Sequence, residues 1–485
     1  MTARPLAAVH GVGRVAARRF LLAAVVVLSS AAAGRLIAQP TSTRLVLGLV
    51  LATLVLGLAL ADPRHLLYAL VLWLAGVALV RRLVSETAPP STHDVLVLIG
   101  PLAFSLLALV ALGRGALHRR SRLANGVLAL SFLALVGAAN PLQGSFSAGI
   151  AGLLFVLAPM LAFWVGRIVD DRVLLAVFKL IAVLAIPAAI YGLVQTLSGF
   201  PHWDTNWINQ VGTANQLGVA GVVRPFASFS STTEYVMFLG AGLLVMIVLG
   251  LRPVALPLSL AAITLIGAAV FYSGVRGVLV MLALALGLIG AARARLPIVL
   301  AFPVLAGVLF LLSFTAGRLV PDRGVEAAAS SGTTVLATHQ LEGLAHPLSQ
   351  SASTVPLHFR EVVNGFQSLT RDPLGVGTGS VTLAASRFGA APRTSEADPS
   401  NVAVALGVPG VIAYLVVLVA GFGRAYGLAR RRGDGLSLLA LGILGLMLLQ
   451  WLNGGLYAVA FLPWLVLGWV DRSTAPPSLA QPTAL

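Results

Sequence analysis

Apolar runs of roughly 15 to 24 residues recur along the whole chain, separated mostly by short connections that carry arginine. Each run is close to the ~20 residues that cross about 30 Å of hydrocarbon as a helix. In lipid every backbone N–H and C=O must be bonded within its own segment, so a chain built from such runs folds as a helical bundle. Fourteen runs are expected to span: 20–38, 45–61, 66–80, 95–112, 123–139, 147–165, 173–196, 233–250, 254–272, 276–292, 297–315, 402–422, 436–452 and 455–470. The expected fold is therefore an all-α polytopic bundle of about 14 transmembrane helices, within a range of 12–14. Composition agrees, since 58% of the 485 residues are hydrophobic and 10% charged, against about 25% charged in soluble domains. The run 20–38 follows four arginines, as a signal peptide's apolar region would, and is read as a retained span. Cysteine is absent, which excludes disulfides, thiolate metal sites and thiol nucleophiles.

Charge sets the expected orientation. With a cytoplasmic N-terminus, nineteen arginines fall on the inside, including Arg114, Arg119, Arg120, Arg122, Arg293, Arg295, Arg430, Arg431 and Arg432. The short outside loops hold five: Arg44, Arg81, Arg82, Arg224 and Arg276. That bias is the positive-inside pattern, with adjacent Arg81 and Arg82 its clearest exception. Both termini are then cytoplasmic and the protein is multi-pass in the cytoplasmic membrane. The net charge of +16 is mostly a topology signal, and no basic patch is left over for nucleic acid.

Two outside loops are long, 197–232 and 316–401, and loops of that length usually have a function. In the second, HFREVVNGFQSL places Phe359, Val362, Val363 and Phe366 at helical spacing, which predicts an amphipathic helix with Arg360, Asn364 and Gln367 opposite. RDPLGVGTGS follows as a tight loop, and without a preceding strand it is no nucleotide fingerprint. Arg276 sits in the hairpin between two spans, flanked by Gly274 and Gly277; Arg224 precedes another span on the same side. With Arg360 on a helix lying over both, three guanidinium forks would converge at the outer leaflet, an arrangement suited to a lipid pyrophosphate. An arginine at a membrane edge can equally snorkel to headgroups, the bland alternative for Arg224. Lys179 and Arg35 read as snorkelling or structural, and His202 and Trp203 as part of an interfacial aromatic belt. The eight histidines are scattered, no HExxH is present, and neither a metal nor a cofactor is expected.

Four stretches, in order, resemble the O-antigen ligase and polymerase family of bacterial membrane glycosyltransferases: RPFASFSSTTEYVMFL, YSGVRGVLVMLAL, FREVVNGFQSLTRDPLGVGTGS and SNVAVALGVPGVIAYL. The resemblance divides the chain into N-terminal transmembrane helices (1–139), a ligase-like membrane domain with the extracytoplasmic loop 316–401 (140–425), and C-terminal helices with a cytoplasmic tail (426–485). It implies metal-independent transfer or polymerisation of a glycan, from an undecaprenyl-pyrophosphate-type donor onto a sugar acceptor, outside the cytoplasmic membrane. The implied partners are the bilayer, a lipid-linked oligosaccharide donor and a glycan acceptor. Arg224, Arg276, Arg360 and Asn401 would bind substrate. In the ligases a histidine precedes the asparagine; here that position is Ser400, which cannot act as a base near neutral pH. The replacement is expected from the same loop, Asp398 first, then His358 or Glu361. The rival readings are a lipid-linked glycan transporter or flippase without transferase activity, and a peptidoglycan polymerase of the shape, elongation and division type, whose acidic loop has no counterpart here.

Overall fold

The structure is a computed structural model that describes residues 43–87, 94–118, 120–211, 218–219, 221–250, 256–319, 332–349, 355–381, 385, 388, 393 and 397–475. The expected span 20–38, with Arg35, lies outside these residues, as do Arg119 and Arg252. In chain order the helices are α1 (Thr43–Ala61), α2 (Pro63–Ser85), α3 (Ile99–Gly113), α4 (Arg122–Ala138), α5 (Phe146–Gly166), α6 (Asp171–Leu197), α7 (His202–Val211) and α8 (Thr232–Leu249). They continue as α9 (Leu256–Tyr272), α10 (Arg276–Arg293), α11 (Ala301–Leu319), α12 (Gly332–Ala345), α13 (Val355–Arg371), α14 (Asp398–Arg432), α15 (Gly435–Leu446) and α16 (Phe461–Ser473). Among the described residues nine helices are long and apolar enough to cross a membrane, and α4, α9 and α15 are shorter apolar ones.

Local sequence explains many helix starts. Asp62 caps α2 by accepting from Arg64 N, with Pro63 in the first helical position, and Ser121, Asp170 and Asp434 cap α4, α6 and α15. The connections between successive helices alternate between two ends of the bundle. One, the loop end, carries Arg44, Arg81, Asp94, Arg224, Arg276, α12 and α13. The other, the arginine end, is knitted by Arg167 and Arg424 on Asp471, Arg432 on Asp171 at 2.9 Å, and Arg430 on the Arg295 carbonyl at 2.8 Å.

Two features depart from uninterrupted spans. The runs 436–452 and 455–470 form only α15 and α16, joined by a buried irregular segment, 447–460, in which Trp451, Val459 and Ala460 are fully enclosed. Asn453-Gly454-Gly455 and Pro463 disfavour one continuous helix there. The freed backbone is satisfied from neighbouring helices, as membrane-depth irregularity requires: Asp398 accepts from Leu452 N (2.8 Å) and Glu234 from Ala458 N (2.6 Å). The second departure is a break in α14 at Gly407, whose φ of 64° and ψ of −156° lie outside helical space. The loop 373–377 docks against it. Val376 N and Gly377 N donate to the Val404 and Ala405 carbonyls (2.9 Å each), and Val408 N donates to the Pro373 carbonyl (2.8 Å). The glycine-rich turn and the Gly-x-x-Gly stretch of α14 are thus one packed unit, not two independent motifs.

Candidate functional site

The site is built on two tight connections at the loop end. After α9, Ser273 Oγ donates to the Val270 carbonyl (2.6 Å) and accepts from Val275 N (3.3 Å). Gly274 then takes a φ of 69°, which lets the chain reverse at once, so that Arg276 opens α10. Val275 provides no side-chain cap, leaving the first-turn N–H groups of α10 beside Arg276. The second connection follows a short hairpin, β1 (Gly218–Val219) paired antiparallel with β2 (Val222–Val223), and begins with Arg224.

What fixes Arg224 is buried three residues on. Ala227 adopts a left-handed φ of 46°, a conformation that persists in a non-glycine residue only when its surroundings enforce it. Gln195 Oε1 accepts from Phe226 N (3.0 Å) and Ala227 N (2.7 Å), and the Arg82 guanidinium donates to the Ala227 carbonyl. Arg82 also pairs with Asp204 at 2.9 Å, both side chains being enclosed, and stacks over the Phe226 ring at 4.7 Å. Asp204 accepts in addition from Gln195 and Tyr191, 2.7 Å each. Arg81 pairs with Asp94 at 2.7 Å. The exception to the charge bias therefore has a structural cause: Arg81 and Arg82 are internal partners of Asp94 and Asp204, and the second pair holds the Arg224 loop.

Over these connections lies α12, packed on α9, α10, α11 and the hairpin. A Cβ placed on Gly274 would meet Arg224 Cδ at 3.5 Å, Leu336 Cδ2 at 3.6 Å and His339 Cδ2 at 3.7 Å, so all three converge above that glycine. One turn along α12, Gly343 seats Arg276; a Cβ there would fall 1.1 Å from Arg276 Nη1. Arg276 Nη2 lies 3.1 Å from His339 Nε2. A guanidinium can only donate, so Nε2 accepts and the imidazole is neutral. Its pKa is pushed down to about 4 by burial and by the charges of Arg276 and Arg224. The Arg224 guanidinium is likewise lowered, by burial and then by Arg276. Gln340, fully enclosed on the Leu336–Gly343 face, has neither amide atom hydrogen-bonded.

Of the residues expected from sequence, Arg224 and Arg276 come together. Arg360 does not join them by the expected route: α13 forms, but packs along α14, leaving Arg360, His358 and Phe359 exposed. The helix over the two arginines is α12. Glu361 is half-buried on α13. Asn401 lies half-buried in the first turn of α14 and Ser400 is enclosed there, its Oγ donating to the Ala397 carbonyl (2.9 Å). Asp398, expected in the approach to the span, is buried at the start of the helix. It accepts from Tyr414 (3.2 Å) as well as from Leu452 N, and its own N–H donates to the Leu449 carbonyl. Trp203 donates to Tyr191 (2.9 Å) and so joins the buried network, while His202 meets Glu86 at 3.2 Å. Sequence reading missed His339, Gln340 and Gly343, and the anchor made by Arg82, Asp204 and Gln195. Among the described residues no cluster of His, Asp or Glu could hold a metal. No protein-family model matches the chain, and no curated protein matches it.

Proposed function

We propose that the chain transfers a glycan from a lipid-linked pyrophosphate to a sugar hydroxyl at the loop end, facing outward from the cytoplasmic membrane. The observation that carries this reading is the gathering of two arginines about His339, Arg224 with it above Gly274 and Arg276 hydrogen-bonded to it from its seat on Gly343, beside the uncapped start of α10. Two guanidinium forks and a helix N-terminus favour a multiply charged anion. Their place at the end of an apolar bundle suits one whose tail stays in lipid. The ordered resemblance to O-antigen ligases and polymerases supplies the reaction class. The acceptor oxygen forms a bond to the donor's anomeric carbon as the bond to the pyrophosphate oxygen breaks. The pyrophosphate leaves with the electron pair, and the arginines stabilise the charge it gains. The acceptor's proton needs a base. Asp398 spends its carboxylate on Leu452 N and the Tyr414 hydroxyl, which leaves His358 and Glu361 of the expected candidates.

The test is transfer by purified protein in liposomes, with an undecaprenyl-pyrophosphate glycan as donor and a sugar acceptor. Wild type is expected to form product, and Arg276→Lys to lose at least tenfold, since an ammonium cannot reproduce the bidentate fork. Full turnover by Arg276→Lys overturns the reading, as does movement of donor across the vesicle membrane with no product formed.

A further inference from the structure

The enclosed face of α12 is Leu336, Gln340 and Gly343, spaced i, i+4 and i+7. The outer two have evident roles. Leu336 Cδ2 lies over Gly274 beside Arg224 and His339, and Gly343 seats the Arg276 guanidinium. Gln340 sits between them, about one helical turn from each. Its side chain is 0% exposed, and among the described residues neither Oε1 nor Nε2 has a hydrogen-bond partner. An amide carries two donors and an acceptor, and leaving them unmet in an interior is destabilising. A position that needed only to be filled would be better served by Leu or Met. Phosphate oxygens do not resolve this, because they could take the amide N–H groups but offer nothing to Oε1. A hydroxyl both donates and accepts, and two hydroxyls on neighbouring ring carbons present a donor and an acceptor side by side, as an amide does. The sugar joined to a pyrophosphate brings such a pair within a few bonds of the phosphate. The Gln340 amide can also turn toward it without breaking a hydrogen bond, since it makes none.

We propose that Gln340 recognises the donor's first sugar: with the pyrophosphate on Arg224 and Arg276, Oε1 accepts from one ring hydroxyl and Nε2 donates to its neighbour. The proposal rests on the pyrophosphate reading above and adds to it a residue that tells a glycosylated lipid pyrophosphate from a bare one. The charge balance at the arginines, where His339 and Glu342 already act on Arg276, plays no part in this contact. No covalent bond is formed or broken and no proton changes hands.

The experiment is calorimetric titration of detergent-solubilised full-length protein with farnesyl pyrophosphate, and with farnesyl pyrophosphate glycosylated by glucose, galactose or their N-acetylated amino forms. Wild type, Gln340→Leu and Gln340→Met are compared, the second variant keeping an unbranched side chain. Wild type is expected to bind at least one glycosylated probe about tenfold more tightly than the bare pyrophosphate, the gain from roughly two neutral hydrogen bonds. Both variants are expected to lose that preference while holding wild-type affinity for farnesyl pyrophosphate within about twofold. A preference that survives in whichever variant folds overturns the proposal and returns Gln340 to a packing role, as does a wild type that prefers no glycosylated probe. Equal loss of affinity for bare and glycosylated probes also overturns it, because the amide would then act through the seat of Arg276. In each of these outcomes wild type still binds farnesyl pyrophosphate, and the arginine reading stands. If wild type binds none of the probes, and Arg276→Ala is indistinguishable from it, the arginine reading falls and this proposal with it.

Discussion

Gly343→Ala separates the anion site from the stability of the fold. A methyl at this position would lie 1.1 Å from Arg276 Nη1, 2.1 Å from Cζ and 2.6 Å from Cδ. The atoms it meets belong to the far half of a flexible side chain, so the guanidinium is evicted and the backbone of α12 stays where it is. Two terms then act on stability with opposite sign. Replacing glycine by alanine inside a helix gains about 1 kcal/mol, and losing the hydrogen bond from Arg276 to His339 costs roughly 0.5–1.5 kcal/mol. The net change is within about 1 kcal/mol of zero. Binding behaves otherwise. A hydrogen bond to a charged group contributes roughly 1.5–3 kcal/mol, so a displaced Arg276 should weaken pyrophosphate affinity by about 10- to 150-fold. Thermal unfolding in detergent, beside titration with farnesyl pyrophosphate, reads both quantities. Gly277→Ala is the control, since nothing lies within 4 Å of a Cβ at that position. Wild-type affinity in a folded Gly343→Ala protein would refute the seating argument, and so would loss of the fold, which would mean that the backbone and not the guanidinium bears the clash.

Gln340→Leu should raise thermal stability, because an enclosed amide without partners costs about 1–3 kcal/mol, while glycan transfer falls if the amide meets substrate; unchanged stability by thermal unfolding would contradict the first part. Asp398→Ala should lower stability by about 1–3 kcal/mol for each buried donor left without an acceptor, namely Leu452 N and the Tyr414 hydroxyl, and a variant with wild-type melting that loses only transfer would restore Asp398 as a base. His339, held near 4 against an ordinary 6.5, stays neutral in the fold while the unfolded chain takes up a proton. Stability should therefore fall as pH drops from 6.5 toward 4, with no contribution above that window, and His339→Gln should flatten the slope seen in acid melts. In the cysteine-free background, Ser349→Cys should react with an impermeant thiol reagent in intact cells and Gly433→Cys should not; the reverse pattern would invert the orientation and remove the donor from reach.

Much of the scaffold was legible because hydrocarbon imposes length and apolarity on a single segment, and thirteen of the fourteen runs lie over helices among the described residues. The amphipathic helix α13 was legible for the same local reason, through Phe359, Val363 and Phe366. α12 was not: GTTVLATHQLEGLA has two glycines, a threonine-rich start and no clean apolar stripe, and its register is set by Arg276 lying flat on Gly343. Pairings across long separations were equally hidden. Arg81 and Arg82 stood out as charges on the wrong side, but nothing near them points to Asp204, 122 positions beyond Arg82. The shortened α15 and α16 failed for a third reason. Their residues are apolar enough to span, and the groups that satisfy the irregular segment between them, the carboxylates of Asp398 and Glu234 among them, come from other helices far along the chain.

The docking of the glycine-rich loop on the broken α14 has a consequence for the order of assembly. A ribosome releases residues 373–377 before residues 404–408, so the donors at Val376 and Gly377 exist first and wait for the Val404 and Ala405 carbonyls. As α14 enters the membrane it is a single apolar stretch, and it can settle into its bent form only when the waiting loop meets it at Gly407. A nascent chain arrested after residue 381 holds the loop but not its seat, and one arrested after 408 holds both, so protease resistance of the loop should appear abruptly as synthesis passes Gly407 and emerges far enough to dock.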